Sequence, residues 1–335
     1  MHSNITEYAG NVMSTIPTTS KRIRISYTAL GETEKPECKN RQNRLSLLVL
    51  NRGKSIFKTE FFKEIESLGF SQVISIENPG VNYELETVAR KFPFVKFLLL
   101  HESCSAGEQI NIGIEEAREG YVYVIWNDMK PSHSSLSARL FENLEKENCL
   151  CTVPVIKPHI SGETVPSIVM PAFQKKILKM IYTVPKNNGV ISLFPFDYCG
   201  IYNREKFLST GGYDYSILNQ YWQKMDFGFR SNMWGEKIVC YTSLQASYTS
   251  DVIGDDTSID KYYRIFFLKN LAVRFNGDSG YLPWSKFLQY YLRSGEGFFV
   301  AKKNFNEAKK WVELNKFRFN LDCRSLTELW ADPEK

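Results

Sequence analysis

The sequence predicts an α/β fold around a mostly parallel sheet, and three observations carry that prediction. Short apolar runs at residues 45–50, 72–76, 95–100 and 121–126 have the length and the aliphatic or aromatic content of buried strands. Between them stand segments with apolar residues at helical spacing, such as Ile110, Ile114 and Ala117, closed by Gly120. Three of the runs break abruptly into polar residues, at Asn51-Arg52-Gly53, Glu77-Asn78-Pro79-Gly80 and Asn127-Asp128. That is the end at which open α/β sheets bind ligands. Strands alternating with helices call for parallel pairing through right-handed crossovers.

In chain order, residues 1–43 are polar and punctuated by Gly, Pro, Ser and Thr, with one strand pattern at 22–30, and read as an arm or an added hairpin. A domain spanning 44–258 follows. Its first strand, 45–50, leads into a helix carrying Phe57, Phe61, Phe62, Ile65 and Leu68 and stopped by Gly69. The strand at 72–76, a helix at 83–92, the strand at 95–100, the helix ending at Gly120 and the strand at 121–126 continue the alternation. A helix at 136–147 and a strand at 149–156 come next. A stretch of about forty residues then holds Pro158, Pro166, Pro171, Pro185 and Pro195 without clear periodicity, the pattern of a functional loop covering a site. Regularity returns as a strand at 197–202, a short helix at 204–208, a Gly211-Gly212 break, a helix at 221–234 stopped by Gly235, and a strand at 238–241. Residues 259–335 read as a helical extension rich in aromatic and basic residues. Its helices at 281–293 and 298–317 suit packing on the sheet, and their composition is also compatible with peripheral membrane contact.

The chain has 335 residues, 43% of them hydrophobic and 24% charged, enough to bury a substantial core. A net charge of +5 suits a phosphate-bearing ligand but is too weak a signal for nucleic acid. Seven cysteines without CxxC spacing fit a reducing compartment, which places the expected location in the cytoplasm, including the inner face of the membrane. No run approaches the length of a membrane span.

Taken in order, these motifs resemble the nucleotide-sugar-dependent glycosyltransferases of the GT-A fold, family 2 and its relatives, from about residue 45 to 270. LLVLNRG is similar to the first strand of that family, and the resemblance implies donor contacts from Asn51 and Arg52. SIENPG is similar to the second strand exit, which implies that Glu77 receives the base. GEQINIGIEEAREGYVYVIWND resembles the helix and strand leading to the Asp-x-Asp motif. It implies donor contacts from Gly107, Asn111, Asn127 and Asp128, with Asp128 the ligand of Mn2+ or Mg2+. GIYNREKFLSTGGYD and WQKMDFGFRSNMWGEKI resemble the acceptor loop and the acidic helix. They imply acceptor contacts from Gly212, Asp214, Trp222 and Arg230, and Asp226 as a candidate catalytic base. Two positions depart from the pattern: Trp126 replaces the first Asp of Asp-x-Asp, and Lys224 occupies the usual base position.

Glycosyl transfer from a nucleoside diphosphate sugar must stabilise the departing diphosphate, which a divalent cation does by bridging its oxygens. An inverting reaction also needs a carboxylate to take the acceptor's proton. With Lys224 at the usual place, Asp226 or Asp197 is left for that task, unless the reaction retains configuration without a protein base or catalysis is lost. The expected partners are a nucleoside diphosphate sugar, UDP-linked by preference, and a glycan, lipid-linked or protein acceptor. The alternative is a GT-A protein that binds nucleotide sugar or scaffolds without turnover; a nucleotidyltransferase would carry a Gly-rich basic loop, of which Asn51-Arg52-Gly53-Lys54 is a faint echo. Plainer readings also stand beside the sharper ones. Asp128 and Glu77 suit turns, Asp226 and Arg230 at i and i+4 suit a surface ion pair, and Trp222 suits a core.

Overall fold

A computed structural model describes residues 25–33, 44–53, 58–80, 85–160, 162–174, 177–251 and 254–330. Most of the expected arm, the basic residue Lys54, and Phe57 and Tyr83 of the expected helices lie outside the described residues. In chain order the elements are β1 (Tyr27–Gly31), β2 (Leu45–Leu50), α1 (Lys58–Glu66), β3 (Gln72–Glu77), α2 (Leu85–Lys91), β4 (Val95–Leu100), α3 (Ala106–Glu116), β5 (Tyr121–Trp126) and β6 (Met129–Pro131). There follow α4 (Ala138–Glu147), β7 (Cys151–Lys157), β8 (Ile168–Gln174), β9 (Ile177–Thr183), β10 (Gly200–Asn203), α5 (Arg204–Thr210), α6 (Gln220–Met233) and β11 (Ile238–Tyr248). The last part holds α7 (Lys261–Phe266), a π-helical turn (Phe267–Leu271), β12 (Arg274–Phe275), β13 (Gly280–Tyr281), α8 (Ser285–Ser294), α9 (Phe298–Leu314) and α10 (Cys323–Trp330).

The central sheet has nine strands in the order β1-β4-β3-β2-β5-β10-β7-β11-β6. Strands β4, β3, β2 and β5 are parallel, β10 enters antiparallel between β5 and β7, and β7 and β11 are parallel. The fold class is thus the expected one, a mostly parallel α/β sheet flanked by helices. Every residue of β2 and β3 is buried, which is why their sequences show no alternation. Leu50 pairs with Trp126, and the Asn127 amide bonds the Leu50 carbonyl at 2.8 Å, so the exits of β2 and β5 emerge side by side.

Several elements differ from the sequence expectation: β1, expected in an arm or hairpin, pairs antiparallel with β4 at the sheet edge, and β6, β12 and β13 were not expected. The proline-rich stretch contains the hairpin β8–β9, with Pro171 opposite Met180, instead of an irregular covering loop. Proline is tolerated there because a two-stranded ribbon leaves one edge of each strand unpaired. The hairpin's Val169, Leu178 and Met180 join the apolar cluster of the C-terminal helices, while Tyr182 meets Phe196 edge-on at 6.3 Å. Strand β11 continues seven residues beyond Tyr241, to Tyr248, across a register shift between Tyr241 and Gln245, and pairs there with β6. Polar residues Thr242, Ser243 and Gln245 hid that extension. Asp197 and Tyr198, read as the start of a strand, are instead left-handed, with φ of 47° and 61°. Consecutive non-glycine residues in this region are strained by about 1–3 kcal/mol each and persist only where surroundings enforce them.

A first core surrounds the sheet, and a second, with Trp234, Phe266, Phe305 and Trp311, lies among α6, α7, α9 and α10. Helices α8 and α9 bury Tyr290, Ala301, Phe305 and Trp311 in that second core, not on the sheet as expected, and leave Leu288, Leu292, Phe298 and Phe299 exposed. Helix α6 joins the two cores. Its Gly228 lies so close to the preceding segment that a Cβ would stand 2.5 Å from the Leu193 carbonyl oxygen.

Alanine has the better helix propensity by about 1 kcal/mol, yet Gly228→Ala is expected to lower the unfolding free energy in urea by about 1–3 kcal/mol, because the obstacle is backbone. An unchanged or raised midpoint would contradict this packing of α6.

Candidate functional site

The exits of β2 and β5 and the turn before β10 converge on one guanidinium. Arg52 Nε and Nη2 donate to Oδ2 and Oδ1 of Asp128, both at 2.9 Å, and Nη1 donates to Asp197 Oδ2 at 2.8 Å. The guanidinium lies 4.5 Å from the centre of the Trp126 ring and 5.8 Å from that of Tyr248. Tyr248 Oη donates to Asp197 Oδ2 at 2.7 Å, Ser250 Oγ to Asp128 Oδ2 at 2.8 Å, and Trp126 Nε1 to the Asp197 carbonyl at 2.9 Å. The last bond helps to hold the left-handed turn that aims Asp197 inward. Side-chain exposure of 15% for Arg52, 19% for Asp128 and 11% for Asp197 keeps the cluster reachable from solvent but mostly dry.

The electrostatics follow from that geometry. Burial disfavours the Arg52 charge, but Asp128 and Asp197 outweigh it and hold the guanidinium above its ordinary value. Burial raises the Asp197 carboxyl above the usual range, against the opposing pull of Arg52, Lys224 and Tyr248. Tyr248 and Ser250 reach the site only because β11 is longer than its apolar run. No sequence signal marked them.

Neighbouring expected residues serve as support. Glu77 stands at the β3 exit as expected, but it is 1% exposed: Oε2 pairs with Lys58 Nζ, and Oε1 accepts from Ser75 Oγ at 2.7 Å and from Asn51 Nδ2 at 3.4 Å. Its carboxylate therefore faces Lys58 and Asn51, and a base stacked over β2 and β3 would meet it only after that network opened. Asn51 Nδ2 also donates to the Ile76 carbonyl at 2.6 Å, and Asn127 Oδ1 accepts from the Arg52 amide at 3.2 Å. Gly107 and Asn111, expected at the donor, instead lock α3 to its neighbours. The Gly107 amide donates to Gln223 Oε1 at 3.0 Å, and the Asn111 amide group bonds the Tyr213 backbone in both directions, at 2.8 and 2.9 Å. Gly212, with φ of +63°, has no room for a Cβ beside Asn111 Oδ1.

Helix α6 carries two charged pairs on different faces. Lys224 Nζ bonds both oxygens of Asp255 at 2.7 and 2.8 Å, with the Tyr198 ring 5.2 Å away. Asp255, not singled out by the sequence, thus returns a carboxylate to the position where lysine replaced one. Two residues on, about 200° around the helix, Asp226 is wholly buried. It accepts from Asn270 Nδ2 at 2.7 Å and from Arg230 Nε at 3.3 Å, while Arg230 also caps the Thr210 and Gly212 carbonyls. This excludes the surface-pair reading, and no acceptor hydroxyl reaches Asp226 in this arrangement. Trp222 is also core: it stacks on Phe266 at 5.6 Å and donates to the Ser258 carbonyl.

Asp214 and Arg230 line a cavity of about 620 Å³ bounded by α7, α8 and α9, together with Arg264, Lys269, Glu296 and Trp311. None of Arg52, Asp128 or Asp197 borders it. That cavity and the charged cluster are therefore separate places, and the sheet-edge cluster is the candidate for chemistry because it gathers strained backbone and shared charges.

The oxygens expected to hold Mn2+ or Mg2+ already have partners. Both Asp128 oxygens are taken by Arg52, one of them also by Ser250, and Asn127 Oδ1 by the Arg52 amide. Among the described residues no group of three or more His, Cys, Asp or Glu side chains is placed to hold a metal ion. Asp128 is thus a guanidinium ligand here, and a divalent cation does not fit unless Arg52 leaves.

No family model matches the chain, and no curated protein matches it in sequence. Among solved structures it is similar to GalNAc-T7 with UDP, GalNAc and Mn2+, at a TM-score of 0.52 and 15% identity, over 84% of this chain and 59% of that one. It thus spans less than two thirds of that relative. Staphylococcus aureus TarS 1–349 in complex with UDP gives a TM-score of 0.49 and 12% identity over 79% of this chain and 70% of that one. The likeness to GalNAc-T7 shows a GT-A fold.

Burial pushes the Asp214 carboxyl up, but the Lys269 ammonium and the Ser216 hydrogen bonds bring it down to about 2. A depressed carboxyl stabilises the fold above its unfolded value and loses that contribution as pH falls toward about 2. Lys269→Met is expected to lower stability at neutral pH by about 2 kcal/mol and to move acid unfolding to higher pH. Coincident acid-unfolding curves for the variant and the parent would remove Lys269 as the cause.

Proposed function

On the premise of a GT-A fold, we propose that this chain transfers a sugar, a hexose or amino sugar, from a nucleoside diphosphate sugar to a hydroxyl on a glycan, lipid-linked or protein acceptor. The observation that carries the reading is the convergence of Arg52, Asp128 and Asp197 at the carboxyl edge of β2 and β5, where α/β sheets hold nucleotides. The GalNAc-T7 structure with UDP and GalNAc supports a UDP-linked donor. In the reaction the acceptor oxygen attacks the anomeric carbon, the bond from that carbon to the diphosphate breaks with its electrons leaving on the diphosphate, and the hydroxyl proton passes to a carboxylate.

Asp197 is that carboxylate in our reading. Its Oδ2 is held by Arg52 and Tyr248, which fixes the orientation of Oδ1, and its raised pKa makes it a better proton acceptor than an ordinary aspartate. Asp226 instead holds α6 to the π-helical turn. A second reading, a nucleotide-sugar-binding protein without turnover, is favoured by Lys224 at the usual base position and by its pairing with Asp255.

Incubation with a panel of nucleotide sugars decides between them: slow donor hydrolysis is expected for the enzyme, and donor binding without any hydrolysis or transfer supports the second reading. Asp197→Asn is expected to keep donor binding while cutting turnover by about 100-fold or more; unchanged turnover would remove Asp197 as the base. Because the base must be ionised, turnover should fall as pH drops through its raised pKa, and a flat profile in the variant would accompany loss of that group. Peripheral membrane contact is assigned to the open face of α8 and α9. Sedimentation with anionic vesicles, lost in Phe299→Glu, is the expected outcome, and wild-type protein left in the supernatant contradicts it.

A further inference from the structure

We propose that Arg52 occupies the position expected for a divalent cation and that the donor's diphosphate is recognised there by the guanidinium, without metal. The inference rests on the nucleotide-sugar reading above and narrows it to one mode of diphosphate recognition.

Position is the first argument. The pairing of Leu50 with Trp126 brings the residues after β2 and β5 together, and Arg52 reaches across to Asp128, the residue expected to bind metal. The donor set is the second. Magnesium and manganese need open oxygen ligands, whereas the two Asp128 oxygens and Asn127 Oδ1 are already engaged by Arg52 and Ser250. The surrounding walls are aromatic: Trp126 stands where another acid was expected, and its ring and that of Tyr248 flank the guanidinium instead of supplying carboxylates. Such faces suit a planar organic cation.

Donor accounting is the third argument. An arginine has five N–H donors in a rigid fork. Among the described residues three are committed, Nε and one on Nη2 to Asp128 and one on Nη1 to Asp197. One N–H on each Nη remains, on a side chain 15% exposed. Each of these N–H groups can donate to an oxygen of a phosphate or diphosphate. The two carboxylates of Asp128 and Asp197 outnumber the one guanidinium, so no excess positive charge remains and their role is to orient the fork; recognition then comes from aimed hydrogen bonds instead of net charge.

Two measurements on the full chain test this. Calorimetric titration of UDP into the wild-type protein is expected to give dissociation constants within about twofold of each other in EDTA and in MnCl2, with Arg52→Lys weakening UDP about tenfold or more through loss of the fork. Affinity that collapses about tenfold in EDTA overturns the proposal while leaving the nucleotide-sugar reading intact. Absence of UDP binding in both conditions contradicts the nucleotide-sugar reading itself. Electron paramagnetic resonance of Mn2+ added to the UDP-free protein then decides the metal question independently. The wild type is expected to leave Mn2+ free, and Arg52→Ala, with Asp128 and Asp197 released, to gain a bound fraction. Wild-type Mn2+ binding abolished by Asp128→Asn would overturn the proposal, even if the Arg52 variants do not fold.

Discussion

The pairing of one arginine with two aspartates from distant parts of the chain is the constraint on which the sheet edge depends. Arg52 follows β2, Asp128 follows β5, and Asp197 belongs to the turn before β10. Arg52 and Asp128 bring the exits of β2 and β5 to the cluster and Asp197 brings the entry of β10, so a single guanidinium sets the relative position of three segments. Removing one partner of a shielded pair leaves the others uncompensated, a far larger loss than the net worth of the pair itself. The strained Asp197 and Tyr198 backbone is tolerated for the same reason, since the Trp126 indole and the Arg52 side chain both hold Asp197 in place.

Support for the cluster extends through α6. Gln223 accepts from the Gly107 amide and from Tyr198 Oη, and donates to Ser105 Oγ and to the Asp214 carbonyl. One buried side chain thus ties α3, the Asp197 turn and the Gly211–Asp214 loop together. On the far side of the same helix, Asp226, Arg230 and Asn270 link the sheet domain to the C-terminal helices. Residues that resemble the acceptor and acid motifs therefore serve mainly to hold these parts in register, with Asp214 and Arg230 also paired at the rim of a cavity.

Much of the fold was legible because parallel strands buried on both faces leave short, mostly apolar runs, as in β2 and β3, where even Ser46 and Ser75 are buried. Their polar exits marked the edge of the sheet where Arg52 and Asp128 meet, and Asp197 was read separately, at the entry of the following strand. What was hidden depends on tertiary context. The continuation of β11 to Tyr248 is polar where it crosses its register shift, and the β8–β9 hairpin carries a proline that argues against a strand. An i, i+4 pair such as Asp226 and Arg230 has the same sequence pattern on a surface as in an interior, so only packing distinguishes the two. The most consequential omission was of this kind too: nothing in the spacing of Arg52 and Asp128 shows that one would neutralise the other.

The central claim is that a nucleotide sugar binds at the edge where Arg52 meets Asp128 and Asp197. The most direct measurement is an experimental structure of the protein with UDP-sugar bound. Diphosphate oxygens are expected within hydrogen-bonding distance of the Arg52 guanidinium, and the nucleoside over the exits of β2 and β3. Nucleotide found in the cavity beneath α9, or at the sheet edge with Arg52 displaced by a metal ion on Asp128, would contradict it.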